Sequence, residues 1–186
     1  MSNIFFPDDE TELGKVMRIF EQEFEVRNNW IREASINFNQ ALSVKPSFNA
    51  FNHAISIINH AMVLVRIIDL DAIGSRDVLR SKERAKILHE RNPRMLPPPE
   101  TLRNIRNDFE HLEERMDRWA TSTYEKQYID LAIGNGYLLR GSEMDTFRKL
   151  EGTKLKFWNN EVDLQEVIDW VEETNRIIID NNNKRF

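Results

Sequence analysis

"PSFNAFNHAISIINHAMVLVRIIDLDAIG", residues 46–74, is the stretch on which the fold turns. It is apolar around most of its circumference, the pattern of a helix enclosed by other elements. Its polar residues, Asn49, Asn52, His53, Ser56, Asn59 and His60, fall in one band that holds neither Lys nor Glu. A band of that kind belongs in an interface, or under another helix that satisfies its hydrogen bonds. A central helix this apolar needs a bundle around it.

The flanking sequence supplies one. "PDDETELG" (7–14) reads as a helix start, with Asp8 or Asp9 as the N-cap. Helical spacing continues through Val16, Ile19, Phe20, Phe24, Trp30, Ile31, Ala34 and Phe38 to Leu42, and Pro46 ends it. Residues 76–92 form a short, charged helix, and "PRMLPPPE" (93–100) an extended connector. A further helix spans 100–121. "YIDLAIGNGYLL" (128–139) carries turn residues at 134–136, with glycines at the wrong spacing for a phosphate loop. "MDTFRKL" and "TKLKFW" then alternate with period two around a Glu-Gly turn, which predicts a β-hairpin over 144–158. Residues 159–180 return to helix with Val167, Trp170, Val171 and Ile177 inward, and the tail "NNNKRF" is expected to fray. Trp30, Trp119, Trp158 and Trp170 each fall in an apolar pattern and read as core anchors.

The expected architecture is mainly α: a four- to five-helix bundle with a small C-terminal antiparallel β-hairpin or sheet. Its 186 residues suit one domain over 1–186, with the hairpin inserted at 128–158.

Composition narrows the function. The formal net charge is −5, so a nucleic-acid partner would need a local basic patch. Residues 76–94 offer one, with seven Lys/Arg against three acids, and Arg80, Arg84 and Lys86 are its candidate phosphate contacts. A weaker second patch lies on the hairpin at Arg148, Lys154 and Lys156. The absence of cysteine excludes disulfides, zinc-thiolate sites and thiol catalysis. The N-terminal "MSNIFFPDDETELG" lacks the basic region of a signal peptide. The apolar run "AMVLVRII" (61–68) is about one-third of a membrane span. A cytosolic protein without membrane association is expected. Nucleotide-binding glycine loops, the serine-hydrolase elbow and the H-E-x-x-H metal motif are all missing from the sequence. His53 and His60, seven apart, are poorly spaced as a metal pair and suit core or interface hydrogen bonds, within reach of helix 100–121. His89 reads as solvated, and no metal or cofactor is implied.

Helix 100–121 is the most informative polar segment. Leu102, Ile105, Phe109, Leu112, Met116 and Trp119, spaced 3, 4, 3, 4, 3, define a core stripe. Arg103, Asn107 and His111 rise along one side of it, and Arg106, Glu110 and Glu114 form a second row. Arg106 and His111 are five apart, about 140° around an ideal helix. One straight helix would not bring them to the same substrate atom. A distorted helix would, and so would two copies facing across a dimer axis.

"RNDFEH" (106–111) resembles the R-x(4–6)-H signature of the HEPN superfamily, with the polar Asn107 directly after the arginine. The resemblance covers the motif and its helical setting over roughly 10–121 and extends to the helix at 160–180, and does not cover the hairpin at 144–158. It implies a helical bundle whose motif helix pairs with its counterpart in a homodimer. The activity implied is metal-independent RNA cleavage in a toxin–antitoxin or phage-defence setting, with an antitoxin or defence protein as partner. The residue types suit that chemistry. Histidine exchanges protons near neutral pH, and arginine brings a fixed, bidentate positive charge to phosphate. Arg106, His111 and Asn107 would be catalytic, with Arg103 and Glu110 supporting the substrate. The alternative is a non-catalytic helical interaction protein, in which the same helix makes a dimer or partner interface through polar contacts; the bland reading of the motif is that Arg106 pairs with Glu110 or Asp108 at the surface and His111 is an ordinary partly buried histidine.

Overall fold

The computed structural model describes residues 12–43, 47–122, 128–134 and 145–185. Among them are six helices: α1 (Glu12–Ser43), α2 (Asn49–Ile68), α3 (Val78–Arg91), α4 (Thr101–Glu110), α5 (Leu112–Ser122) and α6 (Leu164–Lys184). Six short strands accompany them: β1 (Tyr128–Ile129), β2 (Ala132–Ile133), β3 (Asp145–Thr146), β4 (Arg148–Glu151), β5 (Lys154–Phe157) and β6 (Asn160–Asp163). The expected cap at Asp8 or Asp9 and the stop at Pro46 lie outside the described residues.

Helix α2 is central, packed against α1, α3, α4 and α6. Ala54, Ile57, Ala61 and Leu64 are wholly enclosed, and they join Phe24 and Ile31 of α1, Leu102 and Ile105 of α4, and Val167 and Val171 of α6 in one core. Among the described residues α2 alone is long and apolar enough to cross a membrane, and 56% of that window is buried inside the fold, as in a core helix. The helix is shorter than expected because Asp69 stops it. That carboxylate accepts the backbone N–H groups of Asp71 (3.2 Å) and Ile73 (2.8 Å), offering the chain an alternative to another helical turn.

The polar band of α2 is only partly covered. Asn49, Asn52 and Asn59 are exposed, and His53, Ser56 and His60 are half-buried. His60 turns to α1 and not to the motif helix: Nδ1 accepts from Arg27 Nη1 at 3.0 Å, and its ring lies 5.1 Å from that of Trp30. Burial, then the Arg27 charge, hold its pKa below the ordinary histidine value. Trp30 is 44% exposed and is no core anchor, whereas Trp170 is buried. His89 is not simply solvated either: Nε2 lies 3.1 Å from the Ile68 carbonyl at the end of α2.

The C-terminal β region, expected as a small antiparallel hairpin or sheet, is a sheet, and it is not wholly antiparallel. Its order is β2-β4-β5-β6, with β2 parallel to β4 and the other pairs antiparallel; β1 pairs with β3, also parallel. Leu150, Leu155 and Val162 face one another across three strands and are buried, so the sheet closes one side of the helical core. The tight turn is Gly152-Thr153, one residue later than expected, and Gly152 takes the left-handed φ of +61° there. Residues 160–163, read from the sequence as helix, are strand β6; the helix begins only after Asp163, which caps it by accepting from Gln165 N at 2.9 Å. Trp158 makes the β5–β6 turn at φ +56°, uncommon for a bulky residue, and stacks on Phe147 at 4.6 Å. Ile178, not Ile177, completes the buried face of α6.

As far as Arg185 the tail is held, not frayed. Arg185 Nη1 donates to Glu21 Oε1 at 3.3 Å, and Nη2 donates to the Arg91 carbonyl and to Asn92 Oδ1 at 3.1 Å. Glu21 also accepts from Arg91 Nε (3.0 Å) and Asn92 Nδ2 (2.8 Å). One carboxylate, 3% exposed, thus joins α1, the end of α3 and the C-terminus of α6. Burial alone would raise the Glu21 pKa; the bonds and charges of Arg91, Asn92 and Arg185 outweigh it and bring it below the ordinary value. Its contribution to stability is therefore full above the ordinary glutamate pKa and lost as pH falls through the lower folded-state value. Glu21→Ala is expected to cost about 3 kcal/mol in urea denaturation, the low end for breaking a buried pair because both arginines keep some contact with water. It should also flatten the acid limb of the stability–pH curve. A loss below 0.5 kcal/mol would show that this cluster holds nothing together.

Candidate functional site

The segment expected to be one helix is two. Helix α4 stops at Glu110, His111 takes φ −114° and ψ 35°, and α5 resumes at Leu112. His111 itself keeps its i→i−4 bonds on both sides, its N–H donating to Asn107 O (3.0 Å) and its carbonyl accepting from Arg115 N (3.1 Å), so the break is a local kink centred on this residue. The apolar stripe weakens across it. Leu102 and Ile105 are fully buried, Phe109 and Leu112 are half-buried, and Met116 is 41% exposed. Trp119 leaves the core for an aromatic cluster with Tyr128 and Phe147, and its Nε1 donates to Asp145 at 2.6 Å.

Asp108 anchors the kinked segment. Its side chain is 1% exposed, lies 2.6 Å from Arg115 Nη2 and accepts from Asn160 Nδ2 at 2.5 Å. The bond to Arg115 spans the kink, and the bond to Asn160 ties α4 to β6. Of the two surface partners expected for Arg106, the structure shows Glu110, with the charged groups within hydrogen-bond distance, and not Asp108.

The kink does not bring the motif residues together. The Arg106 side chain is 18% exposed and engaged with Glu110. Burial, then repulsion from Arg66, hold its pKa below the ordinary arginine value against the raising effect of Glu110. His111 stands at the break with its side chain 55% exposed, Nδ1 lying 3.3 Å from Glu114 Oε1. Asn107 is exposed. Arg103 turns to the loop after α2, 2.9 Å from Asp69 Oδ2. Burial would raise the Asp69 pKa, but Arg103 and the backbone donors of Ile73 and Asp71 bring it below the usual carboxylate range.

The basic helix divides in its roles. Arg80 pairs with Asp77 at 3.3 Å and Lys86 with Glu90 at 3.8 Å, both strongly exposed. Arg84 turns inward: Nε donates to Ile67 O (3.2 Å), Nη2 donates to Arg66 O (2.9 Å), and its guanidinium lies over the Phe20 ring. It caps the carbonyl end of α2, where a cation is favoured. On the hairpin, Arg148 pairs with Asp130 and Lys154 with Glu161.

Two residues escaped the sequence reading. Glu114 was placed in the Arg106 row but faces His111, an i,i+3 relation that helix geometry permits. Arg66, within the apolar run 61–68, is exposed, stands near Arg106 and has no acidic partner among the described residues. No family model, curated protein or solved structure matches this chain.

The anchoring of Asp108 separates structural from reactive positions. Asp108→Ala is expected to cost about 2–3 kcal/mol, because it leaves Arg115 and Asn160 without their acceptor. His111→Ala, at an exposed position, should stay within about 0.5 kcal/mol of wild type. Chemical denaturation of the two variants checks both, and equal losses would contradict the division.

Proposed function

We propose that this chain is a metal-independent endoribonuclease of the HEPN type, acting as a homodimer in the cytosol within a toxin–antitoxin or phage-defence system. The observation that carries the reading is the setting of His111: a solvent-facing imidazole at a helix kink, with a carboxylate at one ring nitrogen and Arg106 just upstream. A Glu114 carboxylate accepting from Nδ1–H leaves Nε2 as the proton acceptor. One His111 takes the proton of a ribose 2′-OH. The 2′-oxygen attacks the adjacent phosphorus, the bond from phosphorus to the 5′-oxygen breaks, and the partner's protonated His111 supplies the proton to that leaving oxygen. Arg106 stabilises the negative phosphorane oxygens. The products are a 2′,3′-cyclic phosphate and a 5′-hydroxyl. Asn107 orients the 2′-OH, and Arg103 supports the substrate through its neighbours. The pairing of Arg106 with Glu110 supports a two-copy arrangement, since neither motif side chain of one protomer is turned to the other.

Glu110 competes with phosphate for Arg106. Glu110→Gln is therefore expected to raise RNA affinity about twofold, the magnitude of a single i,i+4 helix pair, read by fluorescence anisotropy at low salt. Weaker binding would assign Glu110 to substrate contact.

A second reading has its own observation. Val16, Ile19, Val26 and Trp30 of α1 are between 37% and 59% exposed and lie on one side of the helix, beside the lysine-free band of α2. A non-catalytic interaction protein would use that face. The deciding experiment incubates wild type, Arg106→Ala and His111→Ala with total RNA in EDTA and analyses the ends. Cleavage by wild type alone, leaving cyclic-phosphate ends, is expected. No cleavage by wild type, with its helical content intact, would favour the interaction protein.

A further inference from the structure

Four arginines from three helices converge where α2 ends: Arg66 from α2, Arg84 from α3, and Arg103 and Arg106 from α4. Two carboxylates answer them. Asp69 is taken by Arg103 and by two backbone N–H groups, and Glu110 is taken by Arg106. Arg66 and Arg84 have no acidic partner among the described residues, so the cluster keeps a surplus of two positive charges in a chain of net charge −5. Guanidinium groups without a carboxylate partner offer fixed donors to an anion such as phosphate.

The surplus faces a cavity. A concavity of about 180 Å³, lined by Arg66, Arg84, Asp69, Gly74, Ser75 and Ser81 among others, opens beside the end of α2. The carbonyl end of a helix ordinarily repels an anion. Here those carbonyls are covered: Arg84 holds the oxygens of Arg66 and Ile67, and the His89 ring meets that of Ile68. Ser75 donates to the Asp77 carbonyl and is bonded to Ser81 at 2.7 Å, so the serines shape the wall and the arginines supply the free donors. Arg84 Nη1 makes no bond among the described residues, and the Arg66 guanidinium is exposed.

We propose that Arg66 and Arg84 form a phosphate-binding site at the end of α2, next to Arg106. Repulsion between Arg66 and Arg106 accords with it, because a phosphate near both guanidiniums relieves that repulsion. In RNA, the site would hold a phosphate neighbouring the scissile one and set the register of the strand. This deepens the ribonuclease reading and rests on it for the strand; the phosphate chemistry stands by itself.

The test uses two probes and the full chain. A 2′-O-methyl RNA 12-mer, which lacks the attacking hydroxyl, is titrated by anisotropy across a salt series, and inorganic pyrophosphate by calorimetry. The variants are Arg66→Ala, Arg66→Lys and, as a charge control on α6, Arg176→Ala. Arg66→Ala should bind the 12-mer about five- to tenfold more weakly, with the slope of log affinity against log salt reduced by about 0.7, the value for one contact to a single strand. Arg66→Lys should keep most of the slope, and Arg176→Ala should match wild type. Helical content checked by circular dichroism should be unchanged, since Arg66 is exposed. The proposal is overturned if Arg66→Ala behaves like Arg176→Ala, or if wild type binds neither probe. Arg66-dependent binding of the 12-mer without any cleavage in EDTA would sustain the site and remove the ribonuclease reading. Arg66-dependent binding of pyrophosphate alone would assign the site to a free phosphate ligand.

Discussion

The buried carboxylate of Asp108 is the constraint on which the candidate site depends. A charge taken out of water must be met by donors of fixed geometry, or the fold loses several kcal/mol. Asp108 is met from two directions, by Arg115 two turns further along its own helical segment and by Asn160 at the start of β6. Those bonds decide how α5 leaves α4 and where the sheet sits against both. The kink at His111 lies between the two ends of the Asp108–Arg115 bond, and the exposed imidazole belongs to that kink.

A second buried carboxylate does the same for the bundle. Glu21 gathers Arg91, Asn92 and Arg185 from sequence positions far apart, so that the C-terminal turn closes over the junction of α1 and α3. Between the two nodes lies the α2 core, which is apolar throughout. Large apolar surfaces give the bundle its stability but allow sliding; buried ionic nodes of defined geometry fix the relative placement of helices that carry charged side chains to a common surface. Arg66, Arg84, Arg103 and Arg106 come together by such placement, from three helices.

What the sequence disclosed followed from local chemistry. Helix α2 was legible because its apolar residues continue round the helix, and β4–β5 because Leu150, Leu155 and Phe157 alternate with charged neighbours. The motif helix was legible as far as Ile105. Beyond it the same 3-4 spacing continues into α5, where it is not buried, since periodicity records which side is apolar and not whether anything covers it. Strand β6 was missed because "NNEVD" is short and polar, and only pairing with β5 makes it a strand. Asp108 looks like any helix-surface acid until Asn160, 52 residues away, is placed beside it. The tail misled for the same reason: "NNNKRF" is polar enough to fray, and its arginine is held by a carboxylate near the other end of the chain. Polar nodes built from distant residues leave no periodic trace.

In the proposed reaction Arg106 and His111 act from different copies, because within one protomer each is turned to its own glutamate. Subunit mixing tests this directly. Arg106→Ala and His111→Ala proteins, each inactive alone, are combined under exchange conditions, heterodimer is verified by native mass spectrometry, and RNA cleavage in EDTA is measured. The mixture is expected to recover part of the wild-type cleavage, since the heterodimer sets Arg106 of one copy against His111 of the other, and water replaces the missing second His111 as proton donor to the leaving oxygen. A mixture that stays inactive despite heterodimer formation, or a wild-type protein that cleaves RNA as a monomer, would contradict it.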